Sequence, residues 1–263
     1  QFKTEILDKN RFPDDSGFRA TYRFTIGRAV ELHSMEAVVE RPGLFRVSVN
    51  GRPVEAEPGR FWLDKAFGVY RIGPLVVEGE NSLTVEARPF TIESELEPVY
   101  LRGVFRAAAD AKGFRVEAAR PLALGAWSDQ GWPFYSDRVA YTKAFRVPGG
   151  APSGRGFVLR LGRWRGALAE VLVDGKPAGT IAFPPYELDL GRSLSPGRHR
   201  VSVVVYGTLK NLLGPHHNDP PVGAAWPGNF QKAPPGGRAA GTGYDVRPYG
   251  LIDDFELLAR KSR

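Results

Sequence analysis

Short segments of alternating apolar and polar residues, separated by turn-forming residues, recur along the whole chain. The dipeptides Asn50-Gly51 and Asp174-Gly175 have the composition of two-residue hairpin turns. The 31 Gly and 22 Pro residues favour many short strands over long helices, and only residues 209–213 suit a single helical turn. The chain is therefore predicted to be all-β. The predicted strands are residues 22–26, 44–49, 82–87, 99–107, 114–117, 140–147, 157–161, 171–173, 201–206 and 252–259.

One sequence pattern occurs twice, in the same order. A hairpin segment at residues 47–54 (VSVNGRPV) resembles residues 172–178 (LVDGKPA), and a strand at residues 79–85 (GENSLTV) resembles residues 197–203 (GRHRVSV). Two copies of one β-sandwich are the simplest explanation of this repeat. We therefore predict two tandem jelly-roll sandwiches.

The boundary between the two sandwiches is predicted in the Ala-rich residues near 106–112. It gives a first sandwich at residues 1–108 and a second at residues 109–263. Residues 106–112 are interpreted either as a linker or as a continuous strand–turn–strand passage. The second sandwich contains residues 214–249, a long segment rich in Pro, Gly and aromatic residues. Its length and aromatic content predict an ordered loop packed on the second sandwich.

Composition narrows the classes of function. Because the chain has no Cys, disulfides, thiolate metal sites and Cys nucleophiles are excluded. No apolar run approaches the roughly 20 residues of a membrane span, so no membrane partner is predicted. The net charge of +7 favours acidic partners such as uronate-containing polysaccharides. The basic residues are spread singly, however, and no nucleic-acid partner is predicted.

Several motifs resemble those of one group of domains. Residues 49–54 (VNGRPV), followed by residues 79–87 (GENSLTVEA), resemble the galactose-binding-like sandwich of glycoside hydrolase family 2 sugar-binding domains. Three later segments are similar to the terminal sandwich of large bacterial glycosidases, including α-L-rhamnosidase-like enzymes. These segments are residues 130–135 (QGWPFY), 173–190 (VDGKPAGTIAFPPYELDL) and 207–218 (GTLKNLLGPHHN).

The resemblance covers roughly residues 20–105 and 125–260 and implies an accessory region of a larger enzyme. In such enzymes the catalytic barrel lies elsewhere, and a (β/α)₈ barrel of ~250 residues does not fit beside two sandwiches here. A secreted or periplasmic bacterial protein with a covalently linked catalytic module is implied. No secretion signal is visible, and Gln1 is expected to mark a cut in a longer protein. The excess of Arg over Lys, with one Met and no Cys, favours a thermophilic or a GC-rich source.

Sugar binding needs aromatic planes for the C–H faces of pyranose rings and polar groups for the hydroxyls. Trp164 is predicted either as an exposed ring in a turn or as a ring packed between sandwich edges. Residues 132–135 (WPFY) are predicted to plug one end of the core rather than contact a ligand. The candidate aromatics are Trp127, Trp132, Phe134, Tyr135, Trp164, Trp226, Tyr244 and Tyr249. The predicted carbohydrate contacts are Trp164, Arg165, Lys210, Asn211, His216, His217 and Trp226.

Neither the acidic residues nor the histidines predict a catalytic or metal centre. Residues 216–219 (HHND) hold adjacent histidines, but zinc needs three or four ligands and only His33 and His199 remain. The acidic groups are interpreted as solvated or paired with Arg rather than as a hydrolytic carboxylate pair. No cofactor is predicted, and calcium is the structural metal that the carboxylates and loop carbonyls allow. These acidic groups are Glu93-Glu95-Glu97, expected on one strand face, Glu187 with Asp189, and Asp253-Asp254.

The leading hypothesis is a non-catalytic carbohydrate-binding accessory region of a polysaccharide-degrading enzyme, with a polysaccharide or oligosaccharide as partner. One alternative is a structural sandwich region that packs on the parent's catalytic domain without binding sugar itself. A second alternative is a small glycan-active enzyme on a sandwich scaffold. Binding measurements and activity assays on the isolated chain separate the three.

Overall fold

The fold was analysed in a computed structural model that describes residues 12–148, 156–191, 194–218, 226–230, 232–234 and 236–259. Gln1, the expected cut site, and Asp219 lie outside these residues. The described residues form two compact units. Unit 1 is drawn from Gln1–Ala108 and Arg115–Arg120, and unit 2 from Ala109–Phe114 and Pro121–Arg263.

The fold is all-β, as predicted, with two helices of four residues each among the described residues. The strands of the first part are β1 (Phe18–Ile26), β2 (Glu36–Glu40), β3 (Arg46–Val49), β4 (Arg52–Val54), β5 (Phe61–Trp62), β6 (Asp64–Arg71), β7 (Gly79–Ala87), β8 (Tyr100–Arg102), β9 (Phe105–Ala109) and β10 (Phe114–Ala118). Those of the second part are β11 (Arg138–Val147), β12 (Phe157–Arg160), β13 (Trp164–Arg165), β14 (Leu168–Val173), β15 (Lys176–Ile181), β16 (Glu187–Gly191), β17 (Gly197–Tyr206), β18 (Gly250–Leu251) and β19 (Glu256–Ala259). The helices are α1 (Lys210–Leu213), which is the predicted single turn, and α2 (Pro227–Phe230). Neither helix has the length and apolar character that a bilayer crossing demands, within the described part of the chain.

In unit 1, a six-stranded sheet in the order β4-β3-β7-β1-β10-β9 and a four-stranded sheet in the order β5-β6-β2-β8 contribute to one core. The inward residues alternate along β7, where Leu83 and Val85 are buried while Thr84 and Glu86 are less so. Val39 of β2 and Tyr70 of β6 join the same cluster from the second sheet. The alternating sequence pattern thus marks which side chains fill the core.

Unit 2 has a four-stranded sheet in the order β11-β17-β14-β15, with a three-stranded sheet β16-β12-β19 and the pair β13-β18. Its core contains Val201, Val203 and Val205 from β17 and Leu159 from β12. The largest fully buried side chain is Trp127, whose indole N–H donates to the Tyr141 hydroxyl at 2.8 Å. A buried Trp therefore pairs its polar atom inside the core, as burial requires.

The sequence repeat corresponds to a repeat of sheet layout. The order β4-β3-β7-β1 in unit 1 recurs as β15-β14-β17-β11 in unit 2, with antiparallel pairing throughout. Both predicted hairpin turns are confirmed, because Asn50 and Asp174 have φ of 50° and 51° and each is followed by Gly at positive φ. Such left-handed conformations are those of a type I′ turn.

Several local predictions need correction. Residues 99–107 and 252–259 were each expected as one strand, but the first range contains β8 and the start of β9, and only residues 256–259 of the second are strand. Residues 106–112 take the strand–turn–strand form rather than that of a linker, because β9 turns into β10 there.

The expected strand face of Glu93, Glu95 and Glu97 does not exist, because residues 93–98 are irregular. Thr91 and Ser94 explain the difference. The Ser94 backbone N–H donates to the Thr91 carbonyl at 3.0 Å, and the Ser94 hydroxyl accepts from the Thr91 backbone N–H at 3.1 Å. Such local bonds offer the backbone an alternative to a strand ladder.

Candidate functional site

All seven predicted contact residues belong to unit 2, where six of them fall into two groups. The first, called the loop cluster, consists of Lys210, Asn211, His216, His217 and the partners they bind. The second, called the aromatic edge, consists of Trp164 and Arg165 together with Phe183 and Tyr186, which were not among the predicted contacts. Trp226 lies beside α2.

Lys210 holds the loop cluster together from the first turn of α1. Its ammonium group donates to the backbone carbonyls of Pro215, at 3.0 Å, and Asp245, at 2.7 Å. The Asp245 carboxylate lies 3.4 Å from the same nitrogen and is 7% exposed, although its buried Oδ2 atom accepts no hydrogen bond. The Lys210 charge is therefore used inside the loop.

Asn211 is 2% exposed, which differs from its predicted place on a contact surface. Its amide nitrogen donates to the Arg247 carbonyl at 2.8 Å, and its amide oxygen accepts from the Arg247 backbone N–H at 2.7 Å. These two bonds occupy both amide ends. Asn211 is therefore a bridge between two chain segments, and its side chain is not offered to a ligand.

The two histidines pack among aromatic rings. His216 Nε2 lies 2.7 Å from the Asn211 carbonyl, so this nitrogen carries the proton and donates. The His216 ring meets Phe134 at 5.4 Å between centroids, and His217 meets Tyr244 at 4.6 Å. Burial lowers the pKa of both histidines below the usual value, which favours the neutral form.

No metal centre forms around these histidines within the described residues, where no group of three His, Asp or Glu side chains converges. His216, with Nε2 committed to a carbonyl, and His217, packed edge-on against Tyr244, act here as packing elements. The loop cluster is therefore an ordered support in which most polar groups are hydrogen-bonded and the rings pack edge-on. The predicted functional loop is ordered in this part.

Residues 132–135 were expected to plug one end of the core. Trp132 and Tyr135 do pack on the buried core of unit 2. Phe134 instead contacts Phe114 at 4.7 Å and Tyr244 at 6.1 Å between centroids, so it joins the rings around the histidines. The segment therefore connects the core to the loop cluster.

Trp226 is 74% exposed. Its backbone N–H donates to the Asn229 side chain at 3.0 Å, and the Asn229 amide donates to Asn218 at 2.9 Å. The ring is therefore presented to solvent by a backbone that is tied to the end of the loop cluster. An exposed indole of this kind can stack on an apolar ligand face.

Trp164 lies in β13, paired with Leu251 of β18, and is partly buried against the core. The ring passes over Gly166, where an added Cβ would lie 3.2 Å from its Cζ3 atom. The indole N–H is buried without a hydrogen-bond partner among the described residues. Both interpretations of Trp164 thus hold in part, because the ring packs on the sheet edge and contributes to a surface.

Tyr186 contacts Trp164, and Phe183 lies in the same segment as Tyr186. Tyr186 is 41% exposed and meets the Trp164 ring edge-on at 5.4 Å between centroids. Phe183 is 81% exposed and precedes Tyr186 by three residues, so their Cα atoms lie within about 11 Å. Arg165, the next residue of β13, is exposed and leaves the strand on the face opposite Trp164. Exposed aromatic rings of this kind suit a ligand with apolar faces.

Tyr186 and Phe183 carry a weak sequence signal. The segment AFPPYE places two aromatics around a Pro pair between two strands. The prolines cannot continue a strand ladder, because they have no backbone N–H to donate. That arrangement favours exposure, but a strand-like alternation before and after the segment hides it.

Three of the acidic residues that the sequence groups in unit 2 are paired with basic side chains. Asp253 accepts from the Arg163 guanidinium at 2.6 and 2.9 Å, and this contact lowers the pKa of Asp253. Asp254 accepts from Lys143 at 2.8 Å. Glu187 of β16 likewise accepts from Arg160 at 2.7 Å. Because a carboxylate held by a guanidinium is a poor proton acceptor, these groups are arranged for pairing rather than for acid–base chemistry.

In unit 1, Glu97 is the acid with a raised pKa, which results from burial and then from the nearby charges of Glu40 and Glu95. Its backbone carbonyl accepts from the Tyr22 hydroxyl at 2.6 Å. Three like charges on one surface favour protonation of one of them.

The chain is similar in sequence or structure to parts of longer known proteins. No protein-family model matches the chain. Over 137 residues, or 51% of the chain, it is 28% identical to a protein of Formosa agariphila named "Putative beta-glucuronidase". The match spans 12% of that protein, so the chain corresponds to a small part of its relative.

Among solved structures, a rhamnosidase from Novosphingobium sp. PP1Y matches 93% of this chain and 23% of its own, at 22% identity and a TM-score of 0.36. An alpha-L-rhamnosidase from Streptomyces avermitilis matches 75% of this chain and 23% of its own, at 16% identity and a TM-score of 0.29. A beta-D-mannosidase from Dictyoglomus thermophilum matches 72% of this chain and 24% of its own, at 14% identity and a TM-score of 0.26. The proteins to which the chain is similar thus carry glycosidase names and are several times longer.

Proposed function

We propose that the chain is a non-catalytic carbohydrate-binding accessory region, covalently linked to the catalytic module of a secreted or periplasmic glycan-degrading enzyme. The observation that carries the proposal is the pair of exposed rings Phe183 and Tyr186, of which Tyr186 contacts Trp164. The Formosa agariphila relative supports it, because its name is that of a glycosidase and the match spans only 12% of it. That name also adds glucuronides to the candidate ligands.

Under this proposal the two units are tandem jelly-roll sandwiches, residues 1–108 and 109–263, with residues 214–249 as a loop of the second. The recurring order β4-β3-β7-β1 and β15-β14-β17-β11 supports two copies of one domain. In unit 1, two sheets share one core, which is the arrangement of a sandwich.

The aromatic edge is the proposed contact surface. A pyranose ring would lie on Tyr186 or Phe183, which offer large apolar faces at a low entropic cost of ordering. Arg165 would donate to hydroxyl or carboxylate oxygens. His217 and Trp226 are proposed as a secondary contact, whereas Lys210, Asn211 and His216 would support the loop.

The commitment of three of the four acidic residues that the sequence groups in unit 2 supports a non-catalytic role. Glycoside hydrolysis needs one carboxyl group as acid and a second as base or nucleophile. Asp253, Asp254 and Glu187 are instead committed to basic partners.

Isothermal titration of the isolated chain against a panel of soluble polysaccharides tests the proposal. We expect binding by the wild type and a loss of about tenfold or more in Tyr186→Ala and in Phe183→Ala, because stacked rings supply most of the affinity. Phe61→Ala is the matched control, since Phe61 is an exposed ring of unit 1. The aromatic edge is refuted if the three variants bind equally well, and non-catalytic status is refuted by release of reducing ends.

A structural role is the second candidate, favoured by the hydrogen bonds that commit Lys210 and Asn211 to backbone groups inside the loop cluster. Groups such as Lys210 and Asn211 would then shape a rigid surface for packing on the parent enzyme. This role predicts no binding to any polysaccharide in the panel, together with loss of activity in a parent enzyme that lacks the region.

A further inference from the structure

The outer face of the β11·β17 pair carries like charges in register. Arg146 lies directly opposite Arg198, and Ala144 lies opposite Arg200, two residues further along the same face. All three Arg side chains are exposed. Directly opposite side chains have Cβ atoms about 5 Å apart, so two guanidinium groups there repel each other.

No neighbour relieves this repulsion in the described part of the chain, where none of the three guanidinium groups has an ion-pair or hydrogen-bond partner. Asp174 is close to Arg200, but its carboxylate accepts from the Arg200 backbone N–H at 2.8 Å and contacts His199 at 2.7 Å. The flanking segments 149–155 and 192–193 contain no Asp or Glu in the sequence.

Unit 1 provides an internal comparison, because its β1·β7 pair corresponds to β11·β17 of unit 2. The two pairs are aligned by Gly79, the first residue of β7, and Gly197, the first residue of β17. There Thr25 lies opposite Glu80, and Arg23 lies opposite Ser82. The next row is nearly the same in both units, with a hydroxyl pair at 3.2 Å in unit 1 and 2.8 Å in unit 2. The two rows are thus balanced in unit 1 and carry three positive charges in unit 2.

An uncompensated cationic surface of this kind points to an anionic ligand. Guanidinium forks match the planar geometry of carboxylates, to which they can donate two parallel hydrogen bonds. Beside the arginines, the same face carries the small side chains Ala144, Thr142 and Ser202, which leave it flat. This part of the face has no aromatic ring on which a nucleic-acid base could stack, whereas the carboxylates of an acidic polysaccharide can bind guanidinium groups directly.

We propose that the Arg146–Arg198–Arg200 patch binds the carboxylates of a uronic-acid-containing polysaccharide. The carbohydrate nature of this ligand rests on the proposed function, and the charge of the ligand rests on the patch. The patch is a second binding surface of unit 2, distinct in residues from the aromatic edge. Contacts at both surfaces on one chain would raise the overall affinity.

The test compares the full chain with the triple variant Arg146→Ala, Arg198→Ala, Arg200→Ala. Titrations use polygalacturonate, dextran sulfate, double-stranded DNA and neutral dextran, each at low and moderate salt. The charge-matched control removes three exposed arginines of unit 1, as Arg23→Ala, Arg28→Ala and Arg52→Ala. Thermal unfolding establishes that both triple variants remain folded.

We expect the patch variant to bind polygalacturonate about tenfold or more weakly than the wild type. The control should bind less than about twofold more weakly, because salt screens charges that lie far from the bound ligand. The salt dependence of binding should fall in the patch variant alone. Equal losses in both variants, or no wild-type binding to polygalacturonate, would overturn the proposal. Tighter patch-dependent binding of dextran sulfate or DNA would overturn the assignment to uronate.

The outcome is separable from that of the proposed function. If Tyr186→Ala leaves every glycan affinity unchanged while the patch variant loses polygalacturonate, the aromatic edge fails and the patch stands. If the patch variant behaves as the wild type while Tyr186→Ala weakens binding, the reverse holds.

Discussion

Replacing Asn211 by Ala should destabilise unit 2 strongly, although the residue lies in a loop segment. The change removes the acceptor of the Arg247 backbone N–H and one donor to the Arg247 carbonyl. The carbonyl keeps a second donor, the Tyr249 backbone N–H at 2.9 Å, so its loss is that of a single hydrogen bond. An orphaned N–H costs about 1–3 kcal/mol and a lost hydrogen bond about 0.5–1.5 kcal/mol, which together give about 2–4 kcal/mol.

Urea unfolding followed by tryptophan fluorescence is the assay of choice. Four of the five Trp residues belong to unit 2, with only Trp62 in unit 1, so the signal reports mainly on unit 2. In a thermal scan the same loss corresponds to about 5–10 °C for a domain of this size. Asn211→Asp keeps the acceptor but buries a charge and sets an oxygen against the Arg247 carbonyl, so it should lose at least as much. Thr242→Ala, at an exposed position of the same segment, should stay within about 0.5 kcal/mol.

A loss below about 1 kcal/mol in Asn211→Ala would refute the reasoning, because an orphaned backbone N–H alone should cost that much. It would mean that water or another group replaces the amide without cost. Asn211 would then return to the set of residues open to a ligand.

Two further predictions concern the sheet of unit 2. The hydrogen bond to Asp174 and the contact with the Ser195 carbonyl raise the pKa of His199, so its stabilising effect is present below about pH 6.5 and is lost as pH rises through the raised pKa. The urea midpoint should therefore fall from pH 6 to pH 8 in the wild type and change less in His199→Gln; identical profiles would contradict the pairing. Arg198→Glu places opposite charges across β11·β17 and should raise stability by about 0.2–1 kcal/mol, measured by the same urea assay. A decrease would mean that Arg198 and Arg146 are not neighbours on one face.

The strands and turns were predictable because their determinants are local. Asn50 and Asp174 both precede Gly, and each adopts the positive φ that a two-residue hairpin turn requires. The buried positions of β7 follow directly from its alternation. The irregular segment at Glu93 was missed because alternation alone does not supply a strand partner.

The roles of the candidate site residues could not be predicted in the same way. Asn211 is buried because the backbone of Arg247, 36 residues later, folds back onto its amide. Nothing near Asn211 in the sequence distinguishes this use from an exposed polar contact. Tyr186 was missed because its place in the site depends on an edge-on contact with Trp164, which comes from another part of unit 2.

The bonds of the loop cluster have a consequence for engineering. Asp245 donates its backbone N–H to the His216 carbonyl at 2.8 Å, and its own carbonyl accepts from Lys210. These bonds hold His216 and Asp245, the two ends of one long loop, close together. Once the ends of an excursion are fixed, doubling its length costs only about 0.6 kcal/mol. The exposed turn at Gly236-Gly237, which lies between these ends, is therefore an insertion point, where a peptide tag or a foreign binding loop can be added with little cost to the β-core.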